Sequence, residues 1–213
     1  MQAISSFRPH TQNGEYRINQ KRAFESWIQV FDAVHYFGAP EPELSNPKVT
    51  FVPSEEWPTI QILAHHASRM PSRYISVLNA DIVISPGIWR VEDQLLRKAA
   101  QAATSMRFTF SPETQNFHEA KVTDSGFDVF VATPNIWALV AQAVSKSLRI
   151  GHCQWDSWLL GFLNVKCKRN FYDFTKERCV FHPIHGGRHM PHNQKVRLTD
   201  RYGQSAGKPQ QSL

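Results

Sequence analysis

Apolar residues come in short blocks along the chain, and the spacing within the blocks changes from one to the next. "QAISSF" near the start reads as a short first strand. "NQKRAFESWIQV" carries Ala23, Phe24, Trp27 and Ile28, with Phe31 just beyond, at helical spacing. "AVHYFG" reads as a strand ending at Gly38, and a loop with Pro40, Pro42, Pro47 and Pro53 follows. "TIQILAHHASRM" has a helical pattern closed by Pro71. "YISVLNADIVIS" reads as a buried strand, and Pro86-Gly87 turns the chain into a third helix, "VEDQLLRKAAQAATSM". "RFTFSP" is a further strand. This alternation predicts an α/β domain with a largely parallel sheet.

The second half has a different rhythm. "GFDVFVATPNIW" reads as a strand entering a turn at Pro134. "HCQWDSWLLGFLN" reads as a helix that turns Trp155, Trp158, Leu159 and Phe162 inward, and "CVFHPIHGGRHM" as a short strand running into a Gly- and His-rich loop. We expect residues 1–192 to form one domain and residues 193–213 a basic, polar, mobile tail.

Within the run Arg73–Ser85, Asn79 and Asp81 interrupt an otherwise apolar strand. Two residues apart, they point to one side of a strand. A carboxylate there needs a partner or a task. In open α/β sheets, ligands bind beyond the carboxyl ends of the strands, and Asp81 falls near such an end. A strand-end acid can hold Mg2+ or Mn2+, hard ions that take carboxylates together with substrate phosphate oxygens. The alternative is an Asp that only caps the next turn.

Composition adjusts this picture modestly. Of 213 residues, 41% are hydrophobic and 20% charged, enough apolar material for a sizeable core and too little charge for disorder. The formal net charge of +6 favours anionic partners such as nucleotides or nucleic acid, although a merely basic soluble protein has the same balance. Cys153, Cys167 and Cys179 are odd in number and widely spaced, which fits a reducing compartment better than a disulfide scaffold. "MQAISSFRPHTQ" lacks the apolar region of a signal peptide, and no stretch approaches a membrane span, so a cytoplasmic location is expected.

The remaining candidates are scattered. His182, His185, His189 and His192 crowd one segment, but Pro183 and Gly186-Gly187 argue against a helical zinc motif. One histidine of this group reaching a metal on Asp81 is the better reading, beside a plain solvated loop. Asp156, between two tryptophans at the start of an apolar helix, is either a general base in an apolar wall or a favourable charge at a helix N-terminus. Asp128, on an otherwise apolar strand, faces a substrate or pairs with an arginine. Arg8, Arg22 and Arg73 are candidate phosphate contacts.

The order of these pieces resembles the GT-A-type glycosyltransferases, closest to a group of small bacterial and phage glycosyltransferase-like proteins. "NQKRAFESW" resembles that group's first helix, "VHYFG" its second strand, and "LNADIVISPGIW" its "NADI" strand. "FDVFVATPNIW" resembles the acceptor-side strand, "IGHCQWDSWLL" a helix bearing the candidate base, and "VFHPIHGGRH" a closing segment with a metal-binding "I-H". The resemblance implies a three-layer fold with a mixed, mostly parallel central sheet, and a metal-dependent, inverting glycosyltransferase. It implies Asp81 and His185 as ligands of Mn2+ or Mg2+. Ser6, Arg8, Arg22, Arg73, Asn79, Ala80 and Asp81 would line the nucleotide sugar. Asp156 would be the base, with Asp128 and Trp155 at the acceptor. Candidate acceptors are a hydroxymethylated DNA base, a saccharide, a protein or a lipid carrier. Asn79 stands where the family's pattern has a first carboxylate. That departure keeps open a nucleotide-sugar-binding module without turnover, and the charge keeps open a nucleic-acid-binding protein.

Overall fold

The computed structural model describes residues 1–6, 14–41, 44–54, 56–111, 116–151 and 154–184, without the side chains of residues 15 and 123–125. The expected tail, Arg8, Cys153 and His185 lie outside the described residues. The strands are β1 (Gln2–Ser6), β2 (Val34–Phe37), β3 (Val49–Val52), β4 (Ile75–Leu78), β5 (Val83–Ile84), β6 (Ala102–Phe110), β7 (Lys121–Ala132), β8 (Phe171–Asp173) and β9 (Val180–Pro183). The helices are α1 (Gly14–Val30), α2 (Ile60–Ala67), α3 (Ile88–Arg97), α4 (Pro134–Ala143) and α5 (Trp155–Cys167). All nine strands join one sheet in the order β3-β2-β1-β4-β7-β6-β9-β5, with β8 also paired to β6. The pairs β1–β2, β2–β3, β1–β4, β6–β8 and β6–β9 are parallel; β4–β7, β6–β7 and β5–β9 are antiparallel.

Strand periodicity divides the core into two layers. On β7, Val129 and Val131 join the cluster containing Ala23, Phe24 and Trp27 of α1 and Ile88, Val91 and Leu95 of α3. Phe130 and Ala132 point the other way, into the cluster of Leu63 on α2, Trp137 on α4 and Leu159 and Leu163 on α5. Successive strand residues face opposite sides, so helices must cover both. The result is the expected three-layer α/β fold with a mixed, mostly parallel sheet.

Only four residues, 79–82, separate β4 from β5, yet β7, β6 and β9 stand between them in the sheet order. Four residues reach at most about 14 Å, so the sheet must curl to bring its far edge back to β4. Helix α1 fixes the crossing. Trp27 Nε1 donates to the Ile82 carbonyl at 2.7 Å, and the Ile84 amide donates to Ser26 Oγ at 2.9 Å.

Several sequence expectations give way here. Residues 74–85 are two short strands rather than one: the Ile82 amide bonds to the Asn79 carbonyl, closing a turn over Asn79-Ala80-Asp81. The third helix ends at Arg97, with Ala99 in the left-handed region (φ 49°), and the alanine-rich stretch after it is the buried strand β6. Burial between two layers overrides the helical preference of Ala102 and Ala103. Pro134 opens helix α4 instead of a turn, because its missing N–H costs nothing at the first helical position. Strand β3 occupies part of the expected proline loop, between Pro47 and Pro53.

Among the described residues, no helix is long and apolar enough to cross a membrane. Cys167 and Cys179 are buried free thiols, pushed by burial up to about 11 and about 12.

His66 Nε2 on α2 and His35 Nδ1 on β2 lie 2.9 Å apart and share one hydrogen. Burial lowers both pKa values, and for His66 the neighbouring His35, Arg69 and His65 lower it further. The folded values lie below the ordinary 6.5, so the pair's contribution is whole above pH 6.5 and is lost as the pH falls through the folded values. Urea midpoints should therefore drop below pH 6.5, and His35→Gln should flatten that part of the curve. Trp27→Phe strands the Ile82 carbonyl and should cost about 1–3 kcal/mol in urea unfolding.

Candidate active site

The carboxyl ends of β1 and β4 lie side by side, with Ser5 Oγ donating to the Leu78 carbonyl at 2.8 Å. Beyond them the Asn79-Ala80-Asp81 turn is held from β7. The Asn79 amide N–H bonds to the Asp128 carbonyl at 3.0 Å, and Asn79 Nδ2 donates to Asp128 Oδ1 at 2.6 Å. The second oxygen, Asp128 Oδ2, accepts from Arg107 Nη1 at 2.5 Å. Asp128 is 3% exposed, so its charge needs this cation. Of the two readings of Asp128, the arginine pair is the one the described side chains form.

Gly126 makes the pair possible. A Cβ there would stand 2.7 Å from Arg107 Cζ and Nε, so the guanidinium crosses the strand where no side chain exists. Burial lowers the Arg107 pKa, but the charge and hydrogen bond of Asp128 outweigh it, Asp81 and Asp156 add to the effect, and the net shift is upward. Arg107 is thus a permanent cation within the field of three carboxylates. The sequence reading missed it, although an arginine on a strand facing a strand that carries Asp128 was the available signal.

Asp156 stands in the first turn of α5 and bonds to the backbone of Ser157 and of Phe127, the neighbour of Asp128. Burial raises its pKa; the backbone bonds oppose this and the Asp128 charge adds to it, leaving the value raised. A partly buried carboxyl poised above its usual range suits proton transfer.

On the other side of the turn, Asp81 Oδ2 lies 3.5 Å from His182 Nε2 on β9. The side chains are 19% and 14% exposed. That spacing is long for a hydrogen bond and is comparable with two neighbouring ligands on one divalent ion, roughly 3 Å apart. The donor set, a carboxylate and an imidazole on separate elements, therefore fits a divalent cation. Among the described residues no third His, Cys, Asp or Glu joins them. Among the described residues His182 is the histidine beside Asp81, and His185, singled out by resemblance, lies outside them.

The other expected residues divide. Ser6 ends β1, and its Oγ accepts from Trp57 Nε1 at 3.1 Å; at 1% exposure it is a support rather than a surface contact. Ala80 is the half-buried middle of the turn. Arg22 lies in the middle of α1 with Nη1 buried and without a hydrogen-bond partner among the described residues. Arg73 is exposed at the amino end of β4, the opposite end from Asn79, and is not brought to the site. Trp155, expected at the acceptor, is 3% exposed and packs edge-on against Phe130 in the core, with centroids 5.5 Å apart.

Solved structures share this architecture. TarS residues 1–349 from S. aureus superpose with a TM-score of 0.58 at 6% identity, over 85% of this chain and 60% of that one. A cytidylyltransferase from Leptospira borgpetersenii gives 0.54 at 13% identity, over 81% and 74%. 4-diphosphocytidyl-2C-methyl-D-erythritol synthase from Anaerococcus prevotii gives 0.52 at 11% identity, over 92% of each chain. The fold is of the GT-A-like type. It is the curled α/β sheet that nucleotidyltransferases and glycosyltransferases have in common. No protein-family model and no curated protein matches the sequence.

Asp128→Ala leaves Arg107 without its counter-charge and frees the Asn79 amide, and should destabilise the fold by roughly 2–4 kcal/mol in urea unfolding. Asn79→Asp sets two carboxylates 2.6 Å apart in the present geometry. One of them must then hold a proton. The variant should melt several degrees lower than the unaltered chain at pH 8, and the gap should close toward pH 5.

Proposed function

We propose that the chain is a glycosyltransferase that moves a sugar from a nucleotide-sugar donor to an acceptor hydroxyl. The observation that supports this best is Arg107, which bonds to Asp128 beside the Asn79-Ala80-Asp81 turn and feels the charges of Asp81 and Asp156 as well. The fold shared with nucleotidyl- and glycosyltransferases agrees with it.

In this reading Asp156 takes the proton of the acceptor hydroxyl. The acceptor oxygen forms a bond to the anomeric carbon while the bond from that carbon to the diphosphate breaks, and a nucleoside diphosphate leaves. A base acting opposite the leaving group inverts the anomeric centre. Mn2+ or Mg2+ bound to Asp81 and His182 would supply positive charge to the departing diphosphate. Asn79, locked by Asp128, keeps the turn that presents Asp81. Arg107 holds Asp128 in place through its hydrogen bond and adds fixed positive charge nearby. The acceptor remains open between nucleic acid, saccharide, protein and lipid carrier.

A second reading has specific support, since one of the neighbours above is named a cytidylyltransferase. Nucleotidyl transfer would release pyrophosphate from a nucleoside triphosphate and sugar phosphate, whereas glycosyl transfer releases a nucleoside diphosphate from a nucleotide sugar. Product analysis with each substrate pair separates them.

Thermal shift with nucleoside diphosphates and nucleotide sugars should show stabilisation that requires Mn2+ as well as nucleotide. Asp156→Asn should lower turnover or donor hydrolysis by about 10²–10⁴-fold while leaving nucleotide binding intact. Asp156 must be ionised to act and its pKa is raised, so activity should fall on the acid side at a pH above the ordinary 3.8 of an aspartate. A chain that binds nucleotides but never cleaves any donor would be a binding module instead.

A further inference from the structure

Helix α2 and the residue after its cap carry polar side chains that the candidate active site does not use. Helical spacing sets Gln61 beside His65 and Ile62 beside His66, and the chain leaves the helix through Ser68 into Arg69. On α4, Ala138, Ala141 and Gln142 share one face by the same spacing. Gln61 Nε2 donates to the Ala141 carbonyl at 3.0 Å and ties the two helices together. These residues, with Phe37 at the end of β2, line a cleft of about 710 Å3. The cleft shares no residue with the Asn79–Asp128–Arg107 cluster. His66 stands in its wall, with Nε2 engaged 2.9 Å from His35 Nδ1 and its ring edge-on to Phe37 at 5.2 Å.

Among the described residues no carboxylate lines the cleft, and none pairs with Arg69. His65, His66 and Arg69 therefore crowd one wall without a counter-charge. The crowding is felt at His66, whose pKa is lowered by burial and lowered further by His35, Arg69 and His65. Phe37, Ile62, Ala138 and Ala141 make the rest of the lining apolar.

We propose that the α2–α4 cleft is a second ligand site, which takes a small organic acid: a carboxylate or phosphate head on an apolar body. The cleft is of the size that small-molecule sites have. Arg69 offers a planar fork of donors that matches two oxygens of such a head. The imidazoles of His65 and His66 and the amide of Gln142 supply further N–H groups, and the apolar body lies along Phe37 and Ile62. An anion held here favours the imidazolium form of His66, so binding takes up a proton as the pH falls. The titratable and charged groups facing His66 are His65 and Arg69 from its own segment and His35 from β2; α4 carries no charged residue.

The experiment is a titration of the full chain with benzoate, phenyl phosphate and the uncharged benzyl alcohol, followed on the histidine ring signals by NMR. At least one anion should move the His65 and His66 signals and leave that of His182 in place; the tighter of the two assigns the head as carboxylate or phosphate. Benzyl alcohol should bind about fivefold or more weakly than that anion. Arg69 is exposed, so Arg69→Gln should leave the melting temperature unchanged and weaken the anion by about fivefold or more. Ala138→Phe fills the cleft and should abolish the response. Benzoate stays ionised from pH 8 to pH 6, so its affinity should rise over that interval, and His66→Gln should reduce the rise. Absence of any response at His65 and His66 overturns the proposal, as does equal binding of the anions in Arg69→Gln and the unaltered chain. Benzyl alcohol binding as tightly as both anions overturns the acid head. A His182 signal that follows the same curve as His66 also overturns the separate site, because it puts the probe in the candidate active site.

Discussion

The site is organised by one buried carboxylate. Asp128 sits on a central strand, and its two oxygens are taken by different partners, Asn79 from the β4–β5 turn and Arg107 from β6. A lone charge at that depth would cost several kcal/mol, so the arginine is obligatory, and the glycine beneath it at position 126 follows from the arginine. The asparagine follows too. At 2.6 Å from Asp128, position 79 must donate a hydrogen, which an ionised aspartate cannot do. What looks in the sequence like a weakened acidic pair is one carboxylate moved from the turn to the adjacent strand and paired there with Arg107, while Asp81 on the turn faces His182.

Around this core the fold supplies distance and direction. The curl of the sheet lets a four-residue crossing join β4 to β5, and Ser26 and Trp27 of α1 clamp the segment just after Asp81. Asp81 and His182 meet because β5 pairs with β9, with Val83 opposite Phe181. Asp156 reaches the cluster because α5 lies against β7 with Trp155 wedged on Phe130. Two parts of the chain more than 70 residues apart on either side of β7 are thus drawn to one strand.

Much of this was legible in the residues. The α/β class and the placing of Asp81 beyond a strand end came from apolar spacing and from the ordered motifs. A histidine from the 182–192 group beside Asp81 was also foreseen as a class, and His182 is one of that group. The failures share a cause. Alanines at 102 and 103 read as helix until two layers enclose them, and Pro134 read as a turn where it opens a helix. Arg107 was passed over because its place depends on what lies across from it: a bare glycine on the facing strand and the carboxylate of Asp128. Such cross-strand complementarity has no signature along one stretch of chain.

The β5–β9 pairing also orders events in time. A strand of two residues has too few ladder bonds to persist alone, and its partner comes almost a hundred residues later. During synthesis the first four strands and their helices can associate early, while the Asp81 turn stays unclamped on its downstream side until residues 180–183 have emerged. Assembly of the corner where Asp81 meets His182 is therefore a late step, and a nascent chain can acquire most of its core before that corner closes.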